Sequence, residues 1–234
     1  MLTDADRPAE KRGYDARSRR QRAQLERADT RQRVLVAARA RFLTDGYTDT
    51  KMLDIAADAG LAIASVYRAG SSKAALIEMI MERATTGGDP GQDADRPLTF
   101  AALQPPAYPL IAAEPDPRQQ VCMMVDLICD ALDRVGPLWT VLRDAASVDA
   151  GAAETMRAML ERRAAAFEAA IGLLPPERLR LSPDESADTL WALSSPDTYL
   201  MLRTVRGWSH HTYQNWLRRS LLTLLLTPLN DPPE

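Results

Sequence analysis

Lys51, Ser65, Tyr67, Arg68 and Lys73 are polar side chains within one short stretch, TKMLDIAADAGLAIASVYRAGSSK, from Thr50 to Lys73. Hydroxyls and cations at this spacing can donate to base edges and phosphate oxygens, provided one helix presents them to a groove. The stretch has that layout: Ile55, Ala56, Leu61 and Val66 are spaced to face a small core, and Gly60 sits at the bend between two short helices. Ala56, Ala57, Ala59 and Ala64 are small enough for the helix axes to approach at a steep angle. The second helix, from about Ala62 to Arg68, is then the reader. Its first residues, Ala62, Ile63, Ala64 and Ser65, are unusually apolar. Methyl groups touch thymine methyls, and no Asn or Gln is placed to read adenine, so specificity should rest on methyl contacts, half-site spacing and DNA shape.

Other chemistry has little support. The only histidines, His210 and His211, are adjacent and diverge on a helix, making neither a metal pair nor a base with its orienting partner. Gly87-Gly88 is followed by Asp89 and Pro90 rather than by a phosphate-binding lysine. Asp and Glu fall at surface-helix spacing. Cys122 and Cys129 share a helix face and are expected as buried thiols. No catalytic residue, metal ligand or cofactor is expected.

Together with its flanks the stretch resembles the amino-terminal domain of the tetracycline-repressor (TetR) family. The pattern runs through Thr30-Arg31, Ala37-Ala38, Phe42, Gly46-Tyr47, Thr50, Ile55-Ala56, Ala59-Gly60-Leu61, Tyr67, Lys73 and Leu76. Two positions depart from it: Ala62 stands where a capping Ser or Thr is usual, and Gly70 where an aromatic is usual. Both suggest a mobile reading head. The resemblance implies phosphate contacts from Tyr67 and Lys73, helped by free amides at the Ser72 helix start. With Arg31, Thr50, Lys51, Ala62, Ile63, Ala64, Ser65 and Arg68 these make up the expected DNA-binding set. It also implies a dimer and a ligand-responsive body.

The elements that must position these residues follow from capping and periodicity. Between Arg7 and Arg41 twelve basic residues face four acidic ones, a local +8 that leaves −11 on the rest of a chain with net charge −3. A front end of that sign suits a polyanion. Residues 1–28 have few large apolar side chains and are expected to be a disordered basic arm, which on DNA either extends the first helix or lies in the minor groove. Asp29 and Gln32 suggest a capping box for a first helix ending at Gly46, and a connecting helix begins near Ser72; the DNA-binding domain is placed at 29–85. Residues 86–116, dense in Pro and Gly, should be a helix-free loop anchored by Leu98, Phe100, Leu103, Tyr108, Leu110 and Ile111.

Residues 117–229 are bundle material for ligand binding and dimerisation. Asp116-Pro117 opens a helix that should stop at Gly136, with Pro137 opening another. A long helix from Ala150 follows, then starts at Ser182-Pro183, Ser195-Pro196 and near Ser209. Met124, Trp139, Met156, Met159, Phe167, Trp191 and Tyr199 offer soft apolar lining for a small hydrophobic effector. The carboxyl half of the last helix is apolar nearly all round, so Trp216, Leu217, Leu221, Leu224 and Leu225 are expected to bury against a second copy.

The expectation is therefore an all-α chain, a three-helix helix-turn-helix DNA-binding domain followed by a helical bundle. It would act as a cytoplasmic homodimeric repressor that binds a palindromic operator, is released by a hydrophobic effector, has no enzymatic activity and does not enter membranes. An effector-independent, nucleoid-type DNA binder and a small-ligand-binding helical protein without DNA activity are the alternatives.

Overall fold

The computed structural model describes residues 9–87 and 108–228, with side chains from residue 19 onward. Ten α-helices are found among them: α1 (Ala9–Asp49), α2 (Met52–Ala59), α3 (Ile63–Ala69), α4 (Lys73–Thr86), α5 (Tyr108–Ala113), α6 (Pro117–Ala146), α7 (Ala150–Ile171), α8 (Pro183–Leu193), α9 (Pro196–Leu200) and α10 (His210–Leu225). The only β pairing among the described residues is an isolated bridge between Leu179 and Leu226. None of the described helices is long and apolar enough to cross a membrane.

Local chemistry sets most helix starts. Asp116, Asp149, Ser182, Ser195 and Ser209 each cap a helix by accepting from a backbone amide in its first turn, and Ser182 with Glu185 completes a capping box. Gly60, in the left-handed region at φ 62°, ends α2.

Four expectations are corrected. From Ala9 the arm continues α1 as helix instead of being disordered, and Asp29 opens nothing. Arg, Gln, Ala and Glu are strong helix formers that extend an existing helix without a nucleation cost, and Arg22 pairs with Glu26 one turn on. At the other end α1 is interrupted at Gly46 (φ 79°), where the first helix was expected to stop. Within the Pro-rich segment, Tyr108–Ala113 is helical, with Pro109 tolerated in its first turn and Ile111 buried. Tyr108 donates to the Ala166 carbonyl, whereas Leu110 is exposed; Leu98, Phe100 and Leu103 lie outside the described residues. Finally, α6 does not stop at Gly136 but runs through Pro137. Losing one backbone hydrogen bond is outweighed because the buried stripe continues in phase through Leu132, Val135, Leu138, Trp139 and Leu142.

Two apolar clusters share α6. Its carboxyl half, with Trp139, Leu142 and Ala145, packs into the core of α1 to α4, around Phe42, Ile55, Val66 and Leu76. Its amino half, with Val121, Val125 and Cys129, packs with α5, the end of α7, α8 and α10. Thirty residues make a strut about 45 Å long, so α6 ties the reading head to the body.

Candidate nucleic-acid interface and body cavity

α3 is held out from the head by packing and backbone contacts. Val66 is its buried anchor, while Ile63, Ala64, Tyr67 and Arg68 remain exposed and Ser65 is half-buried. Ala62 takes the capping position without a side-chain bond, as its methyl dictates. Arg68 donates to Ser65 Oγ at 3.0 Å and to the Ala64 carbonyl, holding two of the surface polar groups together on one helix face. Lys51 is exposed ahead of α2, and Arg31 is half-buried on α1.

Two of the expected DNA contacts make hydrogen bonds inside the head. Thr50 is buried and donates to the Gly46 carbonyl at 2.6 Å, bracing the corner between α1 and α2. Lys73 Nζ donates to the carbonyls of Tyr47 (2.6 Å) and Thr48 (3.2 Å) and lies 4.5 Å from the Tyr47 ring centroid. A cation at the end of a helix meets carbonyls without amide partners, so Lys73 clamps that corner. At the start of α4 the Ser72 hydroxyl accepts from Ala75 N, so that amide is not free either.

Gly70 also corrects the expected looseness. Its backbone is extended, and a Cβ there would lie 2.4 Å from Leu76 Cδ2. Glycine at this position lets buried Leu76 close over the joint, which packs the head more tightly. Part of the basic front is likewise structural. Arg33 caps α2 by donating to the carbonyls of Ala59 (3.1 and 2.6 Å) and Gly60 (3.1 Å), and Arg41 makes a forked pair with Asp58 at 2.6 and 2.8 Å. These roles need partners some twenty residues away, which the charge pattern does not reveal.

Head and body meet at Tyr47. Its hydroxyl donates to Asp149 Oδ2 at 2.7 Å, while Asp149 Oδ1 accepts from Gly151 N and Ala152 N to cap α7. These donors hold the Asp149 carboxyl below the usual range, the Tyr47 bond first, and burial raises the Tyr47 phenol.

The body encloses a cavity of about 500 Å³ between α4, α5, α6 and α7 and the α8–α9 junction. Met124, Trp139, Met159 and Phe167 line it. Of the other expected lining residues, Met156 packs against the head cluster, Trp191 stacks on Arg163, and Tyr199 donates to Asp133 Oδ1 at 2.8 Å. The charged wall residues Glu82, Asp130, Arg134, Arg162 and Arg163 all escaped the pattern. Arg163 was accessible to it, because its spacing from Leu160 and Phe167 puts it on the inward stripe of α7. Burial pushes the Glu82 carboxyl up to about 7 and the Arg163 guanidinium down to about 10.

The last helix is amphipathic after all. Leu217, Leu221 and Leu225 are buried in the protomer's own core, one turn apart with Tyr213, and so are not available to a second copy. Of the expected interface, Leu224 is exposed, and half-buried Trp216 packs edge-on against Trp208. The thiols are free; Cys129 is buried, which pushes it up to about 12, and Cys122 is half-buried. His210 faces Tyr199 and Asp133 whereas exposed His211 faces Asn215, and no group of potential metal ligands occurs among the described residues.

Residues 34–80 match the family model described as bacterial regulatory proteins, tetR family. No curated protein matches the sequence. Among solved structures, NalD of Pseudomonas aeruginosa, the secondary repressor of the MexAB-OprM multidrug efflux pump, superposes with a TM-score of 0.59 at 20% identity over 84% of this chain and 96% of its own. A TetR-family regulator from Syntrophomonas wolfei gives 0.65 at 13% identity over 83% and 93%. A transcriptional regulator from Saccharomonospora viridis, solved in complex with choline, gives 0.61 at 17% identity over 85% and 98%. The segment 34–80 is therefore a tetR-type helix-turn-helix domain, joined to a helical body with the fold of solved transcriptional regulators of that family.

Proposed function

We propose that this chain is a homodimeric transcriptional repressor whose affinity for a palindromic operator is lowered by a small hydrophobic effector bound in the body cavity. One observation carries the reading: α4 serves both sites. Its first residue, Lys73, clamps the corner that carries α2 and α3, and its last turn supplies Glu82, Thr85 and Thr86 to the cavity wall. A ligand that displaces the end of α4 acts on the posture of the reader, and linkage requires DNA and ligand to weaken each other by the same factor. Ile63, Ala64, Ser65, Tyr67 and Arg68, with Lys51 and Arg31, face the duplex, and α1 from Ala9 extends the basic front. Two copies would pair through the outer face of α10, where Leu224 is exposed. Similarity to a named repressor and to a regulator crystallised with a small molecule favours repression and ligand control.

The test is fluorescence anisotropy of the full chain on the DNA upstream of its own gene, with sedimentation equilibrium in parallel. Binding as a dimer that weakens steeply with salt, and weakens further with compounds that raise the Tm, is the expected result. A monomer that ignores duplexes in dilute buffer, or stabilising compounds without effect on DNA affinity, would refute it.

A further inference from the structure

Most of the cavity wall is apolar, with Leu127, Ile128, Trp139, Met159 and Leu160 among its residues, but Arg163 projects from α7 into the same wall. Its Nη2 is occupied, donating to the Trp191 carbonyl at 2.8 Å and to Ser194 Oγ at 3.1 Å. The guanidinium carbon Cζ lies over two rings, 4.6 Å from the Phe167 centroid and 5.2 Å from that of Trp191. Its Nη1 is shielded from solvent and has no partner, and the indole Nε1 of Trp191, stacked on the same group, is buried without a partner too. No carboxylate forms an ion pair with Arg163 among the described residues. The other charged residues of the wall are Glu82, Asp130, Arg134 and Arg162. Arg134 donates to the Ala84 carbonyl at the end of α4, and Asp130 is exposed. Glu82 lies in the field of Arg162 and Arg83, opposed by Glu78. The shielded cation thus has carbonyl and hydroxyl acceptors but no direct ion pair: Asp197, the carboxylate in whose field it lies, is engaged by Arg143 and by Trp139 Nε1, and a shielded cation without a contacting counter-ion is costly to keep. A volume of about 500 Å³ falls within the ~300–1,000 Å³ of sites for small organic molecules.

We propose that the cavity takes an amphipathic monoanion, an aliphatic or aryl-aliphatic carboxylate, with its carboxylate on Arg163 and its apolar part along Leu127, Ile128, Met159 and Trp139. The assignment rests on the ligand-responsive reading above and narrows its hydrophobic effector to one charge class. A rotation of the side chain that uncovers Nη1 to the cavity would let a carboxylate oxygen accept from it, and the planar fork of a guanidinium suits a planar anion.

The experiment is isothermal titration calorimetry of the full chain with decanoate, decan-1-ol and decyltrimethylammonium, all below micelle-forming concentrations, with the same solutions added to the DNA-binding assay. Decanoate should bind at least about tenfold tighter than decan-1-ol, the difference expected of one charged hydrogen bond. R163Q should erase that difference while leaving decan-1-ol binding in place, and R163K should restore part of it. If R163Q does not fold, because the end of α8 loses a donor, the wild-type series decides alone. Equal affinities for decanoate and decan-1-ol, a preference for the cation, or no binding by any of the three would overturn the assignment. Release of DNA by decan-1-ol or the cation but not by decanoate would sink the anion while sparing the regulator. Tight decanoate binding without change in DNA affinity would do the reverse.

Discussion

The head and the body use polar groups in opposite ways. In the head Thr50, Lys73, Arg33 and Arg41 are each paired with a named carbonyl or carboxylate, and Gly70 lets Leu76 fill the space a side chain would take. In the body a cavity remains open, with Arg163 Nη1 and Trp191 Nε1 unmatched nearby. A packed, fully paired unit keeps one shape and presents a fixed surface, whereas a unit with space and unspent donors can adapt to an occupant. The contrast teaches that the proposed roles of reading and sensing would demand different degrees of completion from the same helical material.

The sharpest way to break this comparison is to make one substitution in both regions. Phe42→Ala, in the buried head core, should cost about 3–5 kcal/mol, whereas Phe167→Ala, on a wall already lacking neighbours on one side, should cost about 1–2 kcal/mol. Urea unfolding of both variants measures the difference, and equal losses would mean the two regions are equally packed. Lys73→Met comes next, removing charged hydrogen bonds to two carbonyls for a loss of about 1.5–3 kcal/mol. Because the clamp braces the corner that carries the reader, DNA affinity should fall by a similar factor for every sequence. Altered base preference in a binding-site selection would contradict that.

The smallest effect is a pH dependence in the body. Burial raises Glu82 to about 7, so the folded state holds its proton more firmly than the unfolded chain does. The resulting stability is present below the unfolded value near 4.5 and is lost as pH rises to about 7. Glu82→Gln should therefore stabilise the protein at pH 8 by roughly 1 kcal/mol at most after solvent screening, and leave it nearly unchanged at pH 4. A denaturation series across that range checks the sign.

What could be read from the sequence was whatever depends on near neighbours. Asp116 with Pro117, Ser182 with Glu185 and Ser195 with Pro196 announce helix starts because a cap needs only the next three residues. The order Ala59-Gly60-Leu61 located the turn for the same reason. Distant partners decided the rest. Pro137 looked like a boundary, yet buried residues on both sides carry α6 past it. Leu217, Leu221 and Leu225 looked like a surface seeking a second copy, but α6 and α8 already cover them. Lys73 and Thr50 match a DNA-contacting pattern by position, while their acceptors in the fold lie in the last turn of α1. Arg163 shares the inward stripe of α7 with Leu160 and Phe167, but its acceptors at the end of α8 lie some thirty residues away and leave no local signal.

Asp149 carries one last consequence. A single carboxylate steadies the first turn of α7 and grips the Tyr47 phenol, and those bonds hold its pKa down. Its contribution is thus present above the ordinary aspartate value and disappears only as acid reaches its depressed one. The joint stays ionised through neutral and mildly acidic media, so protons are a message it does not receive.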